Sequence, residues 1–91
     1  MLVEQYGPLQ GKMFQIMDET GTILGTQQVP DRSDQEWLEL YKVMLKTRSA
    51  DNKALQLQRQ GRMLTYAPNT GQEAAQVGSA AAMATGDWLV P

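Results

Sequence analysis

Residues 33–61 read SDQEWLELYKVMLKTRSADNKALQLQRQG, and this stretch decides the fold. Ser33 can accept a hydrogen bond from the third helical amide, and Glu36 can answer by accepting from the cap's own amide. No glycine or proline follows from Asp34 to Gln60, and strong helix formers dominate. The spacing predicts one long helix over about 34–60, closed by Gly61 as the residue after the cap. Trp37, Leu40, Tyr41, Met44 and Leu55 share one face. Leu38, Leu45 and Leu57 widen it, so the helix is expected to be enclosed on several sides. Arg48 and Asp51 interrupt the apolar face at i, i+3. Two readings stand open: a solvated ion pair on the helix rim, or a semi-buried pair that fixes how the helix docks.

Downstream of this helix lies QGRMLTYAPNTGQEAAQVG, residues 60–78. Residues 62–69 read as a loop. Thr70-Gly71-Gln72-Glu73 reads as a second capping box, with Thr70 as the cap and Glu73 at the third helical position. The other reading is a helix N-terminus that faces an anion, which the charge of Glu73 opposes. A second helix is expected over about 71–85. Its face is small, with Ala74, Ala75, Gly78, Ala81 and Ala82, which predicts tight packing on a neighbouring helix. Val77 and Met83 supply bulk. Gly86-Asp87 stops it, and Trp88-Leu89-Val90 reads as the start of a buried strand. Capping does not account for Tyr66. It is either a packed aromatic with a satisfied hydroxyl or part of a ligand pocket. Arg62 lies just past a helix C-terminus, where a cation is favourable.

Upstream, Gly7, Pro8 and Gly11 mark residues 1–12 as a loose arm. MFQIM (13–17) and TILG (22–25), joined by Asp18-Glu19-Thr20-Gly21, predict a β-hairpin. The fold class is therefore mainly α, with an N-terminal hairpin, two helices and the start of a strand. The chain divides into two regions: 1–32, arm and hairpin, and 33–91, a helical part.

Composition narrows the chemistry. The chain has 91 residues, 42% hydrophobic and 20% charged, which suits a globular class rather than a disordered one. Eight Lys and Arg are scattered, and the net charge is −2. That leaves no electrostatic footprint for nucleic acid. No cysteine is present, which removes disulfides, thiolate zinc sites and cysteine nucleophiles. No histidine is present, so the commonest general base is missing. Among ten carboxylates no pair is placed for acid–base work, and no GxGxxG phosphate loop occurs. No apolar run approaches the roughly 20 residues of a membrane span. The start has no signal-peptide pattern, and a cytoplasmic setting is expected.

Three segments, TRSADNKALQLQRQGR, YAPNTGQEAAQVGSAAA and GDWLVP, match a known pattern in order and spacing over residues 13–91. The chain resembles the N-terminal region of pyruvate dehydrogenase-type alpha subunits, of the thiamine diphosphate-dependent 2-oxo acid dehydrogenase family. The resemblance implies the front part of an α/β thiamine diphosphate-binding fold, truncated before the magnesium motif. It implies oxidative decarboxylation of pyruvate with acetyl transfer to a lipoyl group. Branched-chain 2-oxo acid and acetoin dehydrogenases share the GQE and RQGR-like segments, so those substrates are the alternatives within the family. A non-catalytic helical interaction module is the alternative outside it. The implied cofactors are thiamine diphosphate and magnesium in the full-length enzyme, with neither expected on these 91 residues alone. The implied partners are a beta subunit, in a heterotetramer, and a dihydrolipoyl acyltransferase core. No catalytic residue carries over. Gln56 matches a glutamine near the substrate side of the pocket, and Thr65, Tyr66 and Ala67, with Pro68, match a loop at the pocket wall. Family members usually carry phenylalanine where this chain has Thr65, and often glycine or serine where it has Leu64. Arg48 and Asp51 match a Thr-Arg-x-x-Asp pattern, which favours the docking role for that pair.

Overall fold

The computed structural model describes residues 2–25 and 29–90. They fall into two compact units, Met1–Asp31 and Arg32–Pro91.

The first unit opens with a five-residue helix, α1 (Leu2–Tyr6), and a single 3-10 turn at Pro8–Gln10. The Tyr6 ring meets Phe14 edge to face, with centroids 5.3 Å apart. No β-hairpin forms here. MFQIM and TILG approach each other through one antiparallel bridge, Met17 to Ile23, and the amide of Leu24 donates to the Ile16 carbonyl at 2.8 Å. The turn itself is well made, because Asp18 Oδ1 accepts from the Thr20 and Thr22 amides, both at 2.9 Å. The physical reason for the correction is lateral. A turn brings two runs together, but a strand needs a ladder of successive pairs and usually a third strand or a helix beneath it.

The second unit is built on α2 (Asp34–Arg59), 26 residues long. Both halves of the Ser33–Glu36 capping box are present: the Glu36 amide donates to Ser33 Oγ at 3.3 Å, and Glu36 Oε2 accepts from the Ser33 amide at 2.8 Å. The far end closes with two paired bonds. Arg62 N–H donates to Leu57 O at 2.9 Å, and Gly61 N–H to Gln58 O at 3.0 Å. Gly61 makes this possible by adopting a φ of 72°, which side-chain-bearing residues rarely take.

The third helix, α3 (Glu73–Ala81), has nine residues and is shorter at both ends than its composition suggests. Beyond its C-terminal end, Asp87 Oδ2 takes the amide of Ala84 at 2.7 Å, closing a turn over residues 84–87. Arg32 reaches the Ala81 carbonyl at 3.5 Å, placing a cation at the helix C-terminus. Trp88–Val90 is not a strand. Trp88 is 91% exposed, and among the described residues there is no strand for it to pair with. The whole described chain thus has three α-helices and no sheet.

α2 and α3 meet along a modest seam. Val77 of α3, 9% exposed, is the only buried hydrophobic residue among those described. Trp37, Leu40, Tyr41 and Met44 of α2 face Ala74, Val77 and Gly78 across a groove of about 240 Å³. An added Cβ at Gly78 would meet nothing within 4 Å, so the small face of α3 is not in tight contact there. Trp37, Leu38, Tyr41 and Leu45 remain exposed, and the expected enclosure of α2 on several sides is not seen.

Candidate functional site

Two buried carboxylates organise the second unit. Asp51 and Glu73 are each 5% exposed, the most enclosed polar residues among those described. Asp51 comes from α2 and Glu73 is the first residue of α3. The loop between the helices runs past both.

Asp51 accepts from three positions of that loop. Its Oδ1 takes the Tyr66 hydroxyl and the Asn69 amide, the latter at 2.9 Å. Its Oδ2 takes the Thr70 hydroxyl at 2.9 Å. These donors favour the ionised carboxyl and hold its pKa below the ordinary aspartate value: the Tyr66 hydroxyl most strongly, then the Asn69 amide and the Thr70 hydroxyl. The same bond raises the Tyr66 phenol above its ordinary value.

Glu73 is held by charge. Arg48 Nε donates to Glu73 Oε1, and the Gly71 amide donates to Oε2 at 2.9 Å. Gly71 adopts a φ of 93°, which turns its amide back towards the carboxylate two residues on. The Arg48 guanidinium, followed by Glu73's own amide and that of Gly71, lowers the carboxyl to about 2. Arg48 is raised in turn, first by its bond to Glu73.

This arrangement corrects two expectations. Arg48 and Asp51 do not bond to each other: Arg48 pairs with Glu73, and Asp51 binds the loop. Both nonetheless tie α2 to later parts of the chain, Arg48 to α3 and Asp51 to the loop. The Thr70–Glu73 capping box is absent. Gln72 stands at the helix cap without a side-chain bond, because the Thr70 hydroxyl is engaged with Asp51 and Glu73 with Arg48.

Of the four pocket-wall candidates, only Tyr66 joins this network. Thr65 and Ala67 are exposed on the loop beside it, and the Ala67 carbonyl accepts from the Asn69 side chain at 3.3 Å. Gln56 is exposed on α2, where its carbonyl accepts the Gln60 amide at 3.1 Å. Tyr66, Asn69 and Asp51 line an open groove of about 500 Å³ together with Lys46, Thr47 and Gln76. The missed partners had one signal. A carboxylate on the apolar face of a helix needs donors, and Tyr66, Asn69 and Thr70 are the donors that the returning loop offers.

Chemically, the two carboxylates are poor bases. Each is bonded through both oxygens, and each has its proton affinity lowered. Neither has an oxygen left without a protein donor, and no group of three His, Cys, Asp or Glu that could hold a metal occurs among the described residues. No described helix is long and apolar enough to cross a membrane. The cluster can hold a loop, and that is what its geometry does.

A family model for the dehydrogenase E1 component matches residues 41–91, from the first third of α2 through the loop and α3. The "Pyruvate dehydrogenase E1 component subunit alpha" of Acholeplasma laidlawii is 53% identical over 74 residues, covering 81% of this chain and 21% of that protein. The proteins of the same name from Staphylococcus aureus strain Mu50 and Staphylococcus epidermidis are each 41% identical over 80 residues, covering 88% of this chain and 22% of theirs. The chain spans about a fifth of the length of these curated relatives. No solved structure matches it. The family match takes in Asp51, Tyr66, Asn69, Thr70 and Glu73 together, so the clamped loop lies inside the shared region: the chain belongs to the dehydrogenase E1 component family.

Proposed function

We propose that this chain supplies the N-terminal part of the alpha subunit of a cytoplasmic pyruvate dehydrogenase that uses thiamine diphosphate as its cofactor. The subunit decarboxylates pyruvate oxidatively and passes the acetyl group to a lipoyl arm. The observation that carries this reading is the 53% identity to a relative named for that activity. A cofactor that does the bond-breaking also suits a chain with neither histidine nor cysteine.

Within that subunit, the 65–69 segment forms part of the pocket wall, with Thr65, Tyr66 and Ala67 on the stretch that approaches the cofactor and shapes substrate preference, and Gln56 near the substrate side. Asp51 and Glu73 do not fit a magnesium or diphosphate site, because protein donors occupy both oxygens of each. Thiamine diphosphate and magnesium are assigned to other parts of the subunit. A beta subunit and a lipoyl-bearing acyltransferase core are the partners.

A chimera tests this. The matching segment of the Acholeplasma laidlawii subunit is replaced by this chain, and the product is assembled with the beta subunit and acyltransferase of that organism. Turnover of pyruvate in preference to 2-oxoisovalerate and acetoin is expected. A switch of preference to either of the others overturns the assignment of pyruvate. An assembled but inactive chimera overturns the catalytic reading.

A further inference from the structure

The loop joining α2 to α3 is held chiefly from one point. Residues 62–72 form no helix, and only Tyr66 among them is partly buried. Three bonds tie this loop to Asp51, at Tyr66, Asn69 and Thr70. Only Ala67 and Pro68 lie between the first two attachment points, and the proline ring fixes its own φ. Thr65 directly precedes the first attachment. A segment pinned at both ends with so short a span has few conformations left.

The geometry points to Asp51 as the positioning residue of the 65–69 segment. Its carboxylate sets how Thr65, Tyr66 and Ala67 are presented to the substrate, and so sets substrate affinity, without touching the substrate. Releasing the loop removes binding rather than chemistry. This rests on the assignment of that segment to the pocket wall.

The same chimera provides the test, with Asp51→Ala, Asp51→Asn and Tyr66→Phe. Deuterium uptake is read in residues 62–72 and, for comparison, in the 36–45 segment of α2. Asp51→Ala is expected to raise uptake in 62–72 alone. It is expected to raise KM for pyruvate about tenfold while kcat stays within about twofold. Asp51→Asn is milder, because an amide oxygen still accepts from Tyr66 and Asn69, and its nitrogen can donate to the Thr70 hydroxyl. Tyr66→Phe removes one attachment and is also milder. Loss of folded enzyme alone lowers apparent kcat and leaves KM unchanged, and that outcome overturns the proposal. So does unchanged uptake in 62–72. Should Asp51→Ala fail to assemble, Asp51→Asn and Tyr66→Phe make the same comparison. Should the unsubstituted chimera fail to turn over pyruvate, the functional reading falls. The uptake of the variants then decides by itself whether Asp51 holds the loop.

Discussion

The Thr70 hydroxyl donates to Asp51 Oδ2 at 2.9 Å, across 19 residues of chain. A threonine just before a helix is ordinarily read as local punctuation. Here its oxygen serves a carboxylate on another helix, and α3 begins without a side-chain cap. The two roles predict different coupling. A cap acts on α3 alone, so its loss adds to the loss of Asp51. A tie to Asp51 exists only while both partners do. Thr70→Val in an Asp51→Ala background is therefore expected to change the thermal midpoint far less than Thr70→Val alone. A thermal double-mutant cycle followed by circular dichroism measures this. Simple additivity would return Thr70 to the role of a cap.

The Arg48–Glu73 pair makes the second unit acid-sensitive in a defined window. Folded, Glu73 titrates near 2; unfolded, it titrates near its ordinary 4.5. A depressed carboxyl stabilises the fold while it is ionised in both states, so its contribution is complete above pH 4.5. As pH falls the unfolded chain takes up a proton first, and the contribution drains away between 4.5 and 2. Asp51, also lowered, adds to the same acid limb. An acid titration of helicity is expected to fall through this window. Glu73→Gln is expected to flatten the curve and to lower stability at neutral pH. A Glu73→Gln curve parallel to that of the unsubstituted chain would remove Glu73 from the acid response.

How much of this was legible in the sequence depends on the range of each interaction. α2 was readable from end to end, because Ser33, Glu36 and Gly61 act on amides within a turn of themselves. The hairpin was not, since Asp18 and its threonines dictate a turn, whereas strands depend on neighbours that the local sequence does not name. The start of α3 shifted because Thr70 and Glu73 have distant partners that a capping rule cannot anticipate. Arg48 and Asp51 stood out correctly as polar interruptions of an apolar face. Their partners lie 25 and 15 to 19 residues away and needed the fold to be identified.

Tyr66 gives the cluster an upper pH limit as well. Its hydroxyl must keep its proton to donate to Asp51, and the carboxylate raises the phenol above its ordinary 10. For a group raised in the folded state and neutral when protonated, stabilisation is full below the unfolded pKa and is lost as pH climbs through the folded one. The phenolate absorbance that disappears in Tyr66→Phe is expected to titrate above the usual tyrosine range. In Asp51→Asn it is expected to move back down. An unshifted difference titration would show that the Tyr66–Asp51 bond does not persist in solution.

Apolar residues of similar prominence in the sequence are expected to differ sharply in consequence. Val77 lies in the seam between α2 and α3, and truncation there removes burial that nothing nearby replaces. Val77→Ala is expected to cost about 1.5 kcal/mol. Trp88 is far larger but 91% exposed, so Trp88→Ser is expected to stay within about 0.5 kcal/mol. Urea unfolding of both variants of the 91-residue chain, compared at equal slope, reads the difference directly. The reverse order would mean that Trp88–Val90 folds back onto apolar surface in solution, and the helical seam would then no longer be the main hydrophobic contact of this unit.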